Sequence, residues 1–311
     1  MIQKLQRVGH HDVVFYELDT QVQGPTVVIT ANLHGDECTG FGVIVELLHE
    51  IPQSLLKGKV ILYPSLNPAG LQQYLRIHPE DGQDLNRLFP GKMLGGTSDR
   101  LVHAIWTSIV QHKPQLVLDL HTDSGASIPY VLIDRMIARS QKDMMHTLKS
   151  LAQATGLTCV HEYTTTLYRH YDLQKSLSGS VLNLLKCPAL TLEVGPRRRI
   201  EPKYVTRMKK SVFGVLYHMN MVAKNPVHSP EVSGFWYRTN GPIVKEAGVF
   251  IPSCQPGDIL APKQKIGAIY ARTGVLIQSI HVSQRSLVLS LPENCFIKSN
   301  HCCATLALPE D

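Results

Sequence analysis

The chain has 311 residues, 43% of them hydrophobic and 18% charged, with a formal net charge of +6 at pH 7. That length supports a large core and two domains, and no apolar run approaches the roughly 20 residues that span a bilayer. Aromatics are sparse and neither a basic helix nor a finger spacing occurs, which excludes a nucleic-acid module.

No apolar stretch follows the first charges, so no signal peptide is read. Seven cysteines stand at irregular spacing, Cys302 and Cys303 side by side, without a Cys-x-x-Cys pair. This usage predicts a reduced, cytoplasmic protein.

In chain order, the β-branched run at 26–33 predicts a buried strand. Residues 37–50 have helical spacing, with Phe41, Val45 and Leu48 on one side. A strand follows at 59–64. Ser98 or Asp99 can cap a helix that runs to about 112, where Pro114 ends it. Strands are read at 116–120 and 129–133, a helix at 140–155 stopped by Gly156, strands at 157–161 and 189–194, and a long helix at 202–222. This alternation predicts a three-layer α/β/α fold with a mixed, largely parallel central sheet. Composition changes after Lys224-Asn225-Pro226. Residues 233–309 show short strands between turn signals and no helix, the pattern of a small β-sandwich or barrel. Two domains are therefore expected, 1–225 and 226–311.

His34-Gly35-Asp36-Glu37 lies where a strand gives way to a helix, and Leu118-Asp119-Leu120-His121 closes another strand. His34, Glu37 and His121 read as three ligands for one zinc ion per chain, with a fourth position left for water. The ordinary alternative for the first pair is a loop histidine and a glutamate favoured by a helix N-terminus. With Glu193, these groups fall at or near the C-terminal ends of strands, where open α/β sheets place their ligands.

The segment Arg76-Ile77-His78-Pro79-Glu80-Asp81-Gly82-Gln83-Asp84-Leu85-Asn86-Arg87-Leu88-Phe89-Pro90-Gly91 is polar and rich in turn formers. Asn86 and Arg87 can clamp a carboxylate through a guanidinium fork, and Arg76 can add a second cation. Asp84 can accept from a ligand histidine and fix its tautomer. A surface loop with local salt bridges is the plainer alternative for each alone. Arg197-Arg198-Arg199 reads as a solvated basic loop, although an anionic substrate would benefit from its field.

His34-Gly35-Asp36-Glu37, Asp84-Leu85-Asn86-Arg87-Leu88-Phe89-Pro90-Gly91, Asp119-Leu120-His121 and Thr191-Leu192-Glu193-Val194-Gly195 together resemble the succinylglutamate desuccinylase/aspartoacylase family of the zinc carboxypeptidase-like superfamily. The resemblance covers about residues 25–225, and the tail is similar to the family's C-terminal domain in general character. It implies that His34, Glu37 and His121 hold zinc and that Glu193 is the catalytic carboxylate. Asn86 and Arg87 would clamp the substrate carboxylate, Arg76 would polarise the scissile carbonyl, and Asp84 would support His34. Peptidases of the superfamily add a mobile tyrosine; Tyr168 and Tyr171 lie in the right stretch, and no motif selects either. The expected activity is removal of the acyl group from an N-acylated amino acid or similar small carboxylate. A carboxypeptidase-type activity on a peptide C-terminus is the near alternative, and a non-catalytic metal- or ligand-binding protein is the distant one. The expected partner is that small anionic substrate, with no nucleic acid and no membrane. The tail could pair chains into a homo-oligomer or narrow the mouth of the site.

Overall fold

The computed structural model of the protein describes residues 2–9, 11–137, 142–226 and 228–310. In its first part the strands are β1 Ile2–Arg7, β2 Val14–Asp19, β3 Thr26–Ala31, β4 Lys59–Tyr63, β5 Leu116–His121, β6 Tyr130–Ile133, β7 Thr158–His161 and β8 Ala189–Glu193. The helices are α1 Thr39–Ser54, α2 Pro68–Gln73, α3 Thr97–Gln111, α4 Lys142–Ala154, α5 Thr165–His170, α6 Leu177–Ser180 and α7 Pro202–His218. The tail adds β9 Phe235–Asn240, β10 Gly248–Pro252, β11 Ile259–Leu260, β12 Lys265–Tyr270, β13 Leu276–His281, β14 Ser286–Ser290, β15 Phe296–Ile297 and β16 Thr305–Pro309.

The solid apolar runs serve two faces at once. Val27, Ile29 and Ala31 of β3 and Leu116, Leu118 and Leu120 of β5 join a core with α1, α4 and α7. Their alternates Val28 and Val117 join a second core with Leu101, Val102, Ile105 and Ile109 of α3. A parallel sheet covered by helices on both sides needs such continuous runs. Strands β4, β3, β5 and β8 are mutually parallel, and β6 reverses against β8 before β7 and β9 follow it in parallel.

Among the described residues, twelve strands form one sheet in the order β1-β2-β4-β3-β5-β8-β6-β7-β9-β16-β14-β11. Four of the tail's strands thus continue the central sheet. The others form a second, antiparallel sheet in the order β13-β12-β10-β15. Phe250 and Ile269 from that sheet share a core with Val288 and Leu306 from the first. No helix among the described residues is long and apolar enough to cross a membrane, and none of the seven cysteines is in a disulfide.

Several local readings need correction. The hairpin β1–β2 was not legible, because its outer strand is polar and its Leu5 is exposed. Helix α1 buries Val43, Ile44, Leu47 and Ile51, not the Phe41, Val45 and Leu48 side. The stretch is apolar nearly all round, so spacing alone left its facing undetermined. Helix α7 stops at His218 rather than 222, and the chain turns at Asn220 with φ +55°. Of the helix expected at 140–155, positions 140 and 141 lie outside the described residues.

Candidate metal centre and active site

Strands β3, β5 and β8 lie side by side and end together, and each end presents a different group. After β3 the chain turns at Asn32, φ +55°. The Asn32 side-chain amide is shared among the carbonyls of His34, Gly35 and Glu37, each at 3.0 Å. This ties the loop down and delays the helix to Thr39. Gly35 is required within it, since a Cβ there would run into the backbone of Gly70 and Leu71. His121 and Glu193, the last residues of β5 and β8, are register partners. Paired positions on adjacent strands project to the same face.

The Glu37 carboxylate lies between two imidazoles. His34 Nδ1 is 2.8 Å from Oε1, and His121 Nδ1 is 2.8 Å from Oε2. All three residues are buried. The Thr122 backbone N–H also donates to Oε2, at 3.0 Å. Burial opposes ionisation of Glu37, yet His34 and His121 hold its carboxyl well below the usual range. A carboxylate stands behind each ring: Asp84 Oδ1 3.3 Å from His34 Nε2, and Asp119 Oδ2 2.8 Å from His121 Nε2. Thr30 Oγ1 fixes Asp119 by donating to Oδ1 at 2.7 Å. With a metal bound between the rings, these outer carboxylates would favour the Nε2–H tautomers and leave each Nδ1 lone pair to face the ion.

The donor set fits a metal. One ligand atom from each of His34, Glu37 and His121 lies within 4.8 Å of the others. Tetrahedral zinc with bonds of about 2.0–2.2 Å needs ligand atoms roughly 3.3–3.6 Å apart, a spacing these side chains reach with little movement.

A cavity of about 250 Å³ opens on this group and is also lined by Arg76, Asn86, Arg87 and Glu193. Arg76 donates to Glu37 Oε1 at 3.1 Å and to Asp84 Oδ2 at 3.3 Å. Asn86 Oδ1 accepts from the Leu177 backbone N–H at 2.8 Å. Arg87 donates through Nη1 to the Asn86 carbonyl at 2.7 Å, so the rest of its fork faces the cavity. Glu193 Oε2 is buried without a partner. Burial pushes the Glu193 carboxyl up to about 8, with Glu37 and Asp123 adding to the rise against the pull of His121. Asp84 is not on the cavity wall; it supports His34 and Arg76 from behind.

Further residues belong here to which the sequence reading gave no contact in the site. Asp119 had a local signal, since a residue two before His121 on a strand shares its face. Arg197 is a correction to the basic-loop reading: it turns inward, with Nε 3.9 Å from Glu37 Oε1, while Arg199 stays exposed beside Glu201. The Arg198 N–H donates to the Asp36 carbonyl at 2.7 Å and draws that loop in. Asp134, Glu162 and Arg238 complete the wall; the first two directly follow β6 and β7 and the third lies on β9, and only the pairing of those strands brings them together. Tyr168 is buried and donates to Asp134 at 2.7 Å, and Tyr171 Oη accepts from Asn240 at 2.7 Å. A larger cavity of about 450 Å³ adjoins through Asp123 and Arg197 and contains none of the metal-ligand set.

Residues 23–219 match the model of the succinylglutamate desuccinylase/aspartoacylase catalytic domain. A 100-residue stretch is 32% identical to the N-alpha-acetyl-L-2,4-diaminobutyric acid deacetylase of Halomonas elongata, spanning 32% of this chain and only 29% of that protein. Among solved structures, a succinylglutamate desuccinylase/aspartoacylase from Rhodobacter sphaeroides superposes with a TM-score of 0.82 at 21% identity, over 97% of this chain and 91% of the other. The product-bound ectoine utilization protein EutE (DoeB) of Ruegeria pomeroyi gives 0.81 at 18% identity, over 95% and 88%. The two superpositions establish a shared fold.

Proposed function

The chain belongs to the succinylglutamate desuccinylase/aspartoacylase family, and on that premise we propose that it is a zinc-dependent amidohydrolase that removes the acyl group from a small N-acylated amino acid. The observation that carries this reading is the convergence of His34, Glu37 and His121 beside a buried, unpartnered Glu193 oxygen. In this reading residues 1–225 form the catalytic domain and 226–311 a smaller β domain that helps close the site.

When bound, zinc supplies the positive charge that makes water acidic near neutral pH and offsets negative charge developing on the substrate. Glu193 accepts the proton of the attacking water and returns it to the leaving amine, as base and then as acid. Its burial suits that exchange, because a carboxyl with a raised pKa both takes and gives a proton near neutrality. Arg76 lies beside Glu37 and places its guanidinium near the position where the carbonyl oxygen gains charge. Asn86 and Arg87 hold the substrate carboxylate and fix the amide against Glu193. The cavity, about 250 Å³, lies just below the roughly 300–1,000 Å³ of ordinary ligand pockets and suits an amino-acid derivative.

Metal analysis of the purified protein, combined with a mass-spectrometric screen of acyl-amino acids and short peptides, tests the proposal. About one zinc per chain and turnover of acyl-amino acids are expected, and His34→Ala should lose both. A metal-replete protein inactive on every acyl-amino acid would sink the reading, and preference for peptides would move it to the carboxypeptidase class.

A further inference from the structure

Resting on the deacylase reading, we propose that the floor of the active-site cavity binds a second, free ammonium group on the amino-acid half of the substrate, with Asp134 as its counter-ion, so that the substrate class is an N-acylated diamino acid.

The cavity descends along β8 from the reacting end. Tyr130 of β6 is paired with Glu193, and Leu132 with Thr191. Thr191 and Leu132 therefore lie one two-residue step down the strands, roughly 6.6–6.8 Å. Asp134 follows at the end of β6, and Glu162 stands beside it at the end of the neighbouring β7; both line the cavity.

The charges on this floor are unequal. Glu162 Oε1 accepts from Arg238 Nη1 at 3.0 Å, and its other oxygen accepts from the Tyr163 N–H at 3.1 Å, so it is neutralised within the protein. Asp134 is only 5% exposed. Its hydrogen bond comes from the neutral Tyr168 hydroxyl, and among the described residues no lysine or arginine forms an ion pair with it. Burial, reinforced by the Glu162 charge and only partly offset by the Tyr168 hydrogen bond and the more distant Arg87, pushes its carboxyl up to about 7. A buried carboxylate without a cation is costly, and this one faces the space that a ligand enters. A substrate ammonium supplies the missing charge.

The arginines limit the alternatives. Arg76 is engaged by Glu37 and Asp84, Arg238 by Glu162, and Arg197 stands at the metal end beside Glu37, away from Asp134 on the floor. Arg87 retains fork donors for one carboxylate. A side chain ending in a second carboxylate would meet Asp134 and Glu162, and an apolar one would leave Asp134 uncompensated. The pocket is matched to one carboxylate and one ammonium.

The test compares kcat/KM of the zinc-loaded enzyme on Nα-acetyl-2,4-diaminobutyrate, uncharged N-acetylnorvaline and acidic N-acetylglutamate. A preference of at least 100-fold for the diamino acid over either is expected. Asp134→Asn should shrink that ratio at least tenfold, mainly through KM on the diamino substrate. Preference for the acidic or uncharged compound overturns the proposal while leaving the deacylase reading intact. So does an unchanged ratio in Asp134→Asn, which would make Asp134 a partner of Tyr168 only. Calorimetric titration of wild type with free 2,4-diaminobutyrate and with norvaline decides the matter where the variant does not fold or no acyl-amino acid is turned over. Binding at least tenfold tighter for the diamino acid supports the subsite, and equal binding removes it.

Discussion

The centre of the long sheet and the tail are built differently. At the centre, β3, β5 and β8 are parallel, covered on both faces, and terminate together. Their ends lead to His34, His121 and Glu193. In the tail the strands of the smaller sheet are antiparallel and leave Ile251 and Leu276 more than half exposed, at 53% and 52%. From β9 this region sends Arg238 into the cavity. The centre thus carries the residues proposed to hold a metal ion and the carboxylate proposed to act beside it, while the tail supplies a wall. Substitutions at the centre should then strike chemistry or metal, and those at the junction should strike stability and substrate fit.

The largest effect is expected at the centre. Glu193→Gln preserves shape and removes the proton acceptor, so kcat should fall about 10³-fold, within the range typical of general acid–base groups. Zinc content and the circular dichroism spectrum should stay as in wild type. A variant turning over within threefold of the wild-type rate would remove Glu193 from the mechanism.

One layer out, Asp119→Asn tests whether the carboxylate behind His121 matters. An amide in its place no longer stabilises the Nε2–H tautomer, and zinc affinity should fall roughly 10–100-fold. Competition with a chelator reads this directly. Unchanged affinity would mean that the His121 ring is oriented by packing alone.

At the junction, Arg238→Met leaves Glu162 buried without its cation. Removing one partner of a buried pair costs about 3–5 kcal/mol, visible as a lower midpoint in denaturant unfolding. The double variant with Glu162→Gln should recover most of that loss, because the coupling belongs to the pair. Were the single variant as stable as wild type, the tail would not be joined to the catalytic half through this charge.

The same division governs what the sequence revealed. The strand ends bearing His34, His121 and Glu193 were legible because a parallel sheet writes its burial as apolar runs, and because a polar residue closing such a run stands out. Asn86 and Arg87 were legible as an unusual pair in a turn-rich segment. Glu162 and Arg238 were not, nor was the grouping of Asp134 with them, because each is an ordinary charged residue in its own neighbourhood. They become a group only through β6–β8, β6–β7 and β7–β9 pairing, and long-range register leaves no mark on local composition. Continuation of the central sheet into the tail was hidden for the same reason: β9 and β16 have the pattern of any half-buried strand.

The smallest expected effect is a pH dependence at the seam where β7 meets β9. His161 stacks on Tyr237 at 4.9 Å between ring centroids and lies near Phe235. Burial pulls its pKa down to about 4. Glu310 Oε1, 3.4 Å from Nε2, works against this without making a hydrogen bond, while Lys149 and Arg135 add to the depression. The unfolded chain titrates near 6.5, so between about 6.5 and 4 it binds a proton that the folded protein refuses. The His161 contribution is therefore complete above 6.5 and is lost as pH falls through that window. Tm followed by circular dichroism should drop on going from pH 7 to 5, and His161→Phe, which keeps the stack and removes the titrating group, should flatten that part of the curve. An identical slope in the variant would assign the acid sensitivity to carboxylates elsewhere and leave the seam held by packing.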